Sequence, residues 1–336
     1  MKDTDYLSLS SRIRFLETKL LNRERRERML DARSDEEAAK ILTECGYAEP
    51  EDLSVPAVNS VLAKARADLF ADLRKSVKSA VGSVSLIEVF QIKYDYHNAK
   101  AILKAEAMGE DPLRLLMAGG RFEPKTLAED IHKGELPEER YPQLFRSSAR
   151  EAGKALADHH DPQRSDLVLD RACYAEMTDA AKESKSAFLK DYVKLSIDAV
   201  NLRTAVRCAR MGANHELMRA SLLPGGGVDT QALAEAKAAE LAGLFAASRL
   251  ETAAQQGAAL LGNESGSGLT EFERSCDNAL VAYLSQAKRI PFGEQPVVGY
   301  LCAREAEATA IRTILSGRKA GLTADAIRER LRECYV

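Results

Sequence analysis

Between residues 184 and 211 the apolar positions Tyr192, Leu195, Ala199, Leu202, Val206 and Ala209 recur at steps of three and four, separated mostly by polar and charged residues. This spacing lays one apolar stripe along a helix, so the pattern predicts a long helix with one buried face. Val89, Ile92, Tyr96, Ala99 and Leu103 predict a second helix of the same kind. Alternating Val, Ile, Thr and Tyr runs joined by two-residue turns, the mark of half-buried strands, are missing. Helix starts are predicted where Ser34 precedes Glu37, Ser85 precedes Glu88 and Thr270 precedes Glu273, the spacing of a capping box. Stops are predicted at Gly109 to Pro112, Gly119-Gly120, Pro137, Pro142, Asp161-Pro162, Pro224 to Gly227, Gly262 to Gly268 and Pro291 to Gly293. The expected fold class is all-α.

The two striped helices are related. At a shift of 103 residues, Asp198 falls on Asp95, Asn201 on Asn98, Arg203 on Lys100 and Gly212 on Gly109. A shift of 109 in the other direction takes Asp198 to Glu307, Arg203 to Arg312 and Gly212 to Gly321, with Ala310 where the other copies have asparagine. The segment beyond the helix repeats as well: at a shift of 106, Gly119-Gly120 returns as Gly225-Gly226 and Leu127-Ala128-Glu129 as Leu233-Ala234-Glu235. Shared spacing across several elements indicates internal duplication. A period near 105 residues fits a small bundle of several helices, so three bundles are expected, at 1–110, 111–213 and 214–336.

Composition adds to this picture mainly by exclusion. Forty-eight Lys and Arg against fifty-one Asp and Glu, interleaved along the chain, leave a net charge of −3, and no basic face for nucleic acid is evident. No stretch of eighteen residues is free of charge, which argues against a membrane span, and Met1 to Asp5 is polar, unlike a secretory leader. Cys45, Cys173, Cys208, Cys276, Cys302 and Cys334 are scattered without zinc-ligand spacing and read as reduced thiols, so the sequon Asn263-Glu264-Ser265 is not expected to carry a glycan.

Candidate chemistry is sparse. Glu129 and His132 form an ExxH, the spacing of a di-iron ligand pair, but there is no second copy, and Ala238 replaces the histidine in the repeat. His159-His160-Asp161 reads as a solvated helix end, and the glycine tracts lack a following Gly-Lys-Ser/Thr. No catalytic, cofactor-binding or metal residue is assigned. Asp95, Asp198 and Glu307 with Lys100, Arg203 and Arg312 are expected to make inter-helix hydrogen bonds and ion pairs that set register, with Asn98 and Asn201 completing the motif.

Ile92 to Lys100, Pro291-Phe292-Gly293, Tyr300-Leu301, Ala303 to Glu307 and Ile327 to Val336, with Tyr6, Arg12 to Arg14 and Leu16 to Leu21, resemble the C subunit of V/A-type rotary ATPases, related to the eukaryotic d subunit. Arg304 stands for a lysine of that pattern and Ala310 for an asparagine, and residues 214–268 match least. The resemblance implies a non-catalytic funnel of three helical bundles, peripheral on the cytoplasmic side of the membrane. It implies central-stalk rotor subunits and the proteolipid ring as partners, and a role in torque transmission for H⁺ or Na⁺ transport. The repeated loops at Gly119, Gly120, Gly225 and Gly226 are the expected contact points. The alternatives are an α-helical solenoid scaffold unrelated to such machines and a helical metal enzyme centred on His132.

Overall fold

A computed structural model describes residues 3–159, 161–262 and 268–336, with the backbone alone at His159. The regular elements of the described residues are all helices, with no strand among them. The chain begins with α1 (Leu7–Glu17), α2 (Arg23–Leu30), α3 (Asp35–Glu44) and α4 (Val55–Val81). It continues through α5 (Ser85–Met108), α6 (Pro124–His132), α7 (Gln143–His159), α8 (Pro162–Glu183), α9 (Ala187–Arg210), α10 (His215–Ser221) and α11 (Thr230–Glu235). It ends with α12 (Ala238–Leu244), α13 (Glu251–Gly262), α14 (Leu269–Leu284), α15 (Glu294–Lys319) and α16 (Ala324–Arg328).

The helices gather into two compact units, one of Met1–Gly82 with Ala236–Val336, the other of Ser83–Glu235. Compactness therefore divides the chain differently from the period near 105 residues. In the first unit Met29, Leu30, Ile41, Leu42 and Leu62, from the N-terminal helices, share one core with Ile311, Ile314 and Ile327. In the second, α5 packs against α6, α7 and α8. Tyr96, Phe122, Tyr141 and Phe145 meet edge-on in this unit, with ring centroids 4.8 to 5.1 Å apart for three of the pairs.

Punctuation acts largely where expected. Gly82, Gly109, Gly212 and Gly321 take left-handed φ at or just past helix ends, a conformation that costs a side-chain-bearing residue more. Ser34 caps α3 by accepting from the Glu37 amide at 3.2 Å. The reciprocal half of that box is displaced, since the Glu37 carboxylate accepts from the Arg33 amide at 2.7 Å, and the other two capping boxes do not form at all. Ser85 is the first residue of α5, where the Ser83 hydroxyl accepts from its amide, and α14 starts from Gly268 in the left-handed region, leaving Thr270 inside the helix. The single buried face expected of α9 is also too narrow. Val193, Ile197, Ala205 and Cys208 are buried beside the predicted stripe, while Ala209 is exposed, because neighbouring helices α8, α10 and α11 cover more than one side.

Candidate functional site

The repeated motif lies on three long helices, α5, α9 and α15, and its acidic member is buried on each: Asp95 is 0% exposed, Asp198 6% and Glu307 3%. A buried carboxylate must be met by donors. On α5, Asp95 Oδ1 accepts from the backbone amides of Arg121 at 2.9 Å and Phe122 at 3.2 Å, and Oδ2 from Arg121 Nε at 2.7 Å. The Arg121 guanidinium also reaches Glu176 of α8 at 2.6 Å. On α9, Asp198 accepts from the Gly227 amide at 2.8 Å and the Val228 amide at 3.1 Å. The two carboxylates thus hold the turns that lead into α6 and α11, rather than bridging helix to helix as the sequence suggested.

The glycine pairs follow from this contact. A Cβ built on Gly120 would lie 2.3 Å from Asp95 Oδ1, and one on Gly226 2.2 Å from Asp198 Oδ1. The residue before each, Gly119 or Gly225, has φ near +100°. One glycine admits the carboxylate and the other turns the chain toward it.

Four residues earlier on the gripped segment, the asparagines act alike. Asn98 donates to Met117 O at 2.9 Å and accepts from Met117 N at 2.7 Å; Asn201 does the same to Leu223 at 2.8 Å in both directions. Each closes a two-bond clamp on one residue's backbone. On α15 the corresponding Ala310 packs into the apolar core instead. The basic members differ more: Lys100 pairs with Asp170 of α8 at 2.6 Å, Arg312 Nε donates to Asn59 of α4 at 2.7 Å, and Arg203 is half-buried on α9.

Glu307 receives the amide of Leu21, the Tyr47 hydroxyl at 2.7 Å and the Arg304 guanidinium, which stacks 4.1 Å over the Tyr47 ring and donates to Cys45 O at 3.1 Å. Tyr47 did not stand out in the sequence, and Leu21 did so only within the stretch that carries the family resemblance, since no repeat spacing points to either. Burial pushes all three carboxyls upward, Asp95 to about 6 against the pull of Arg121 and its two backbone donors.

The other residues singled out by the sequence lie apart from these grips. His132 is on the surface with Nδ1 3.2 Å from Glu106 Oε1, while Glu129 sits near Lys133. Asp161 caps α8 by accepting from the Arg164 amide at 2.9 Å, whereas His160, the side chain of His159 and Asn263-Glu264-Ser265 lie outside the described residues. The six cysteines are free thiols, five of them buried. Among the described residues no group of His, Cys, Asp and Glu is arranged to hold a metal, and no helix is long and apolar enough to cross a membrane.

Comparison with known proteins places this arrangement. The family model described as ATP synthase (C/AC39) subunit matches residues 9–330. The C subunit of the V-type sodium ATPase of Enterococcus hirae is 22% identical over 98% of this chain and 99% of its own length. The C subunit of the A-type ATP synthase of Haloferax volcanii is 30% identical over 73% of each chain, and that of the V-type ATP synthase of Thermus thermophilus 25% identical over 92% of this chain and 93% of its own. With the family model spanning nearly the whole chain and relatives matched almost end to end, the chain belongs to the ATP synthase (C/AC39) subunit family.

Proposed function

We propose that the chain is a non-catalytic adaptor in the central stalk of a V/A-type rotary ATPase, coupling the rotor shaft to the membrane ring and passing torque for ATP-linked H⁺ or Na⁺ transport. The observation that carries the reading is the family match over residues 9–330. The physical build supports it. Torque transmission asks for an element that deforms little, and dense helical packing with buried, hydrogen-bonded carboxylates resists deformation. In this reading the chain forms three bundles, 1–110, 111–213 and 214–336, arranged as a funnel. It sits peripherally on the cytoplasmic side and meets the stalk rotor subunits and the proteolipid ring without entering the bilayer. The loops at Gly119-Gly120 and Gly225-Gly226 belong to the proposed contact surface, Gly225 being exposed.

The test uses membranes from cells with and without the chain. ATP-driven ion uptake into inverted vesicles should collapse without it and return when the purified chain is added back. Uptake unaffected by its absence refutes the adaptor role.

A further inference from the structure

The three acidic grips have a direction. Asp95 on α5 holds the turn leading into α6, and Asp198 on α9 holds the turn leading into α11, each a turn further along the chain. Glu307 on α15 holds Leu21, and Leu21 leads into α2 near the chain's beginning. In each case the gripped amide stands just ahead of a helix cap: Glu123 for α6, Asp229 ahead of α11 and Asn22 for α2. The third grip is thus of the same kind as the first two, but its two sides stand near opposite ends of the chain.

We infer that Glu307 is a non-covalent closing clasp, which captures the lead-in turn of the first repeat and makes the order of the repeats cyclic. The repeats then begin near Leu20, Gly120 and Gly226. This inference rests on the threefold reading of the chain, whose boundaries it shifts.

Side-chain size supports the equivalence. Where glycine precedes the gripped amide, as at Gly120 and Gly226, the acid is aspartate and comes within 2.3 Å of the position a Cβ would take. Where buried Leu20 precedes it, the acid is glutamate, whose extra methylene reaches past a real side chain. The missing asparagine fits as well. Met117 and Leu223, the clamped residues, stand four positions before Arg121 and Gly227; the same position before Leu21 is Glu17, the last residue of α1, so no extended backbone is there to clamp. The junction between the chain's two ends is instead reinforced by Tyr47 and Arg304.

The experiment is amide hydrogen exchange on the full chain. Glu307→Ala should speed exchange by about tenfold or more at Leu21 and through α2 and α3, leaving residues 117–122 and 223–228 as they were; Asp198→Ala should loosen only the turn at 223–228. Glu307→Met, which keeps the side-chain length but carries no oxygen acceptor for the Leu21 amide, serves if the alanine variant does not fold. A circular permutant joining Val336 to Met1 through a long Gly/Ser linker and opened between Leu223 and Pro224 moves the break. In it the sensitivity should pass from Glu307 to Asp198. A clasp is refuted if Glu307 variants leave Leu21 and α2 protected, if they loosen the whole chain evenly, or if the permutant folds with Glu307 still the more sensitive. None of these outcomes bears on ion uptake by membranes, so the adaptor role stands or falls separately.

Discussion

Replacing Gly226 with alanine adds one carbon atom at a place where the nearest atom is already committed. The new Cβ would meet Asp198 Oδ1 at 2.2 Å, its Cγ at 3.1 Å and Ile197 Cγ2 at 3.3 Å. Ordinary contact needs roughly 3.5 Å, so the carboxylate must withdraw by about 1 Å. Withdrawal breaks its bonds to the Gly227 and Val228 amides, now 2.8 and 3.1 Å long. Hydrogen bonds to a charged group are worth about 1.5–3 kcal/mol each, and losing glycine's unfolded-state freedom returns about 0.4–1 kcal/mol. The net cost expected is about 2–5.5 kcal/mol. Backbone strain adds nothing, because Gly226 is not in the left-handed region. With two compact units in the chain, a global melt is a blunt readout. Urea titration followed by exchange of the 223–233 amides localises the effect. Gly226→Ala combined with Asp198→Ala is the control: once the carboxylate is gone the added methyl has room, so the double variant should be no less stable than Asp198→Ala alone. Additive losses, or a single variant within about 0.5 kcal/mol of wild type, would refute the steric argument.

Asp95→Ala should be costlier than the Asp198 change, about 2–4 kcal/mol, because it takes one of two carboxylate partners from the buried Arg121 guanidinium and leaves the other, Glu176, in place; its loss and that of Arg121→Ala should be less than additive, which chemical denaturation of the single and double variants reads. Asn201→Ala removes both bonds on the Leu223 backbone and should cost about 1–3 kcal/mol, seen as faster exchange at the Leu223 amide with α8 unchanged. For pH, the Asp95 carboxyl in its dry site holds its proton up to about 6, more tightly than in the unfolded chain. Its contribution to stability therefore grows as pH falls from about 6 toward about 4 and is lost as pH rises through that window. Urea midpoints across this range should show a slope that Asp95→Asn flattens; parallel curves for the two proteins would count against it.

Much of the local architecture was legible in the residues. Steps of three and four mark α5 and α9, and the glycines at 109 and 212 mark their ends, because helix periodicity and left-handed termini are local properties. The partners of the motif acids were not legible. Asp95 and Asp198 hold turns 26 to 30 residues away, and nothing in their own neighbourhood distinguishes a grip on a backbone amide from a bridge to another helix. The glycine pairs carried that information, since they mark where a carboxylate presses on the chain. Glu307 has no such marker beside it in the sequence. A further shift of 106 from Gly225-Gly226 reaches Leu331-Arg332, where no glycine stands, because the turn that Glu307 holds is at the opposite end of the chain. The capping pattern at Ser85 failed for a smaller reason, a competing serine two residues earlier.

The core that Met29, Leu30, Ile41 and Leu42 share with Ile311, Ile314 and Ile327 has a consequence during translation. About 270 residues separate the two halves of that core, and at about 5–20 residues per second the ribosome takes on the order of ten seconds or more to deliver α15. Until then the apolar faces of α2 and α3 lack their partner and are exposed to chaperones and to other nascent chains. The unit of residues 83–235 is synthesised without a break and can collapse while the rest waits. A nascent chain halted before α15 would therefore hold a folded middle and a sticky beginning.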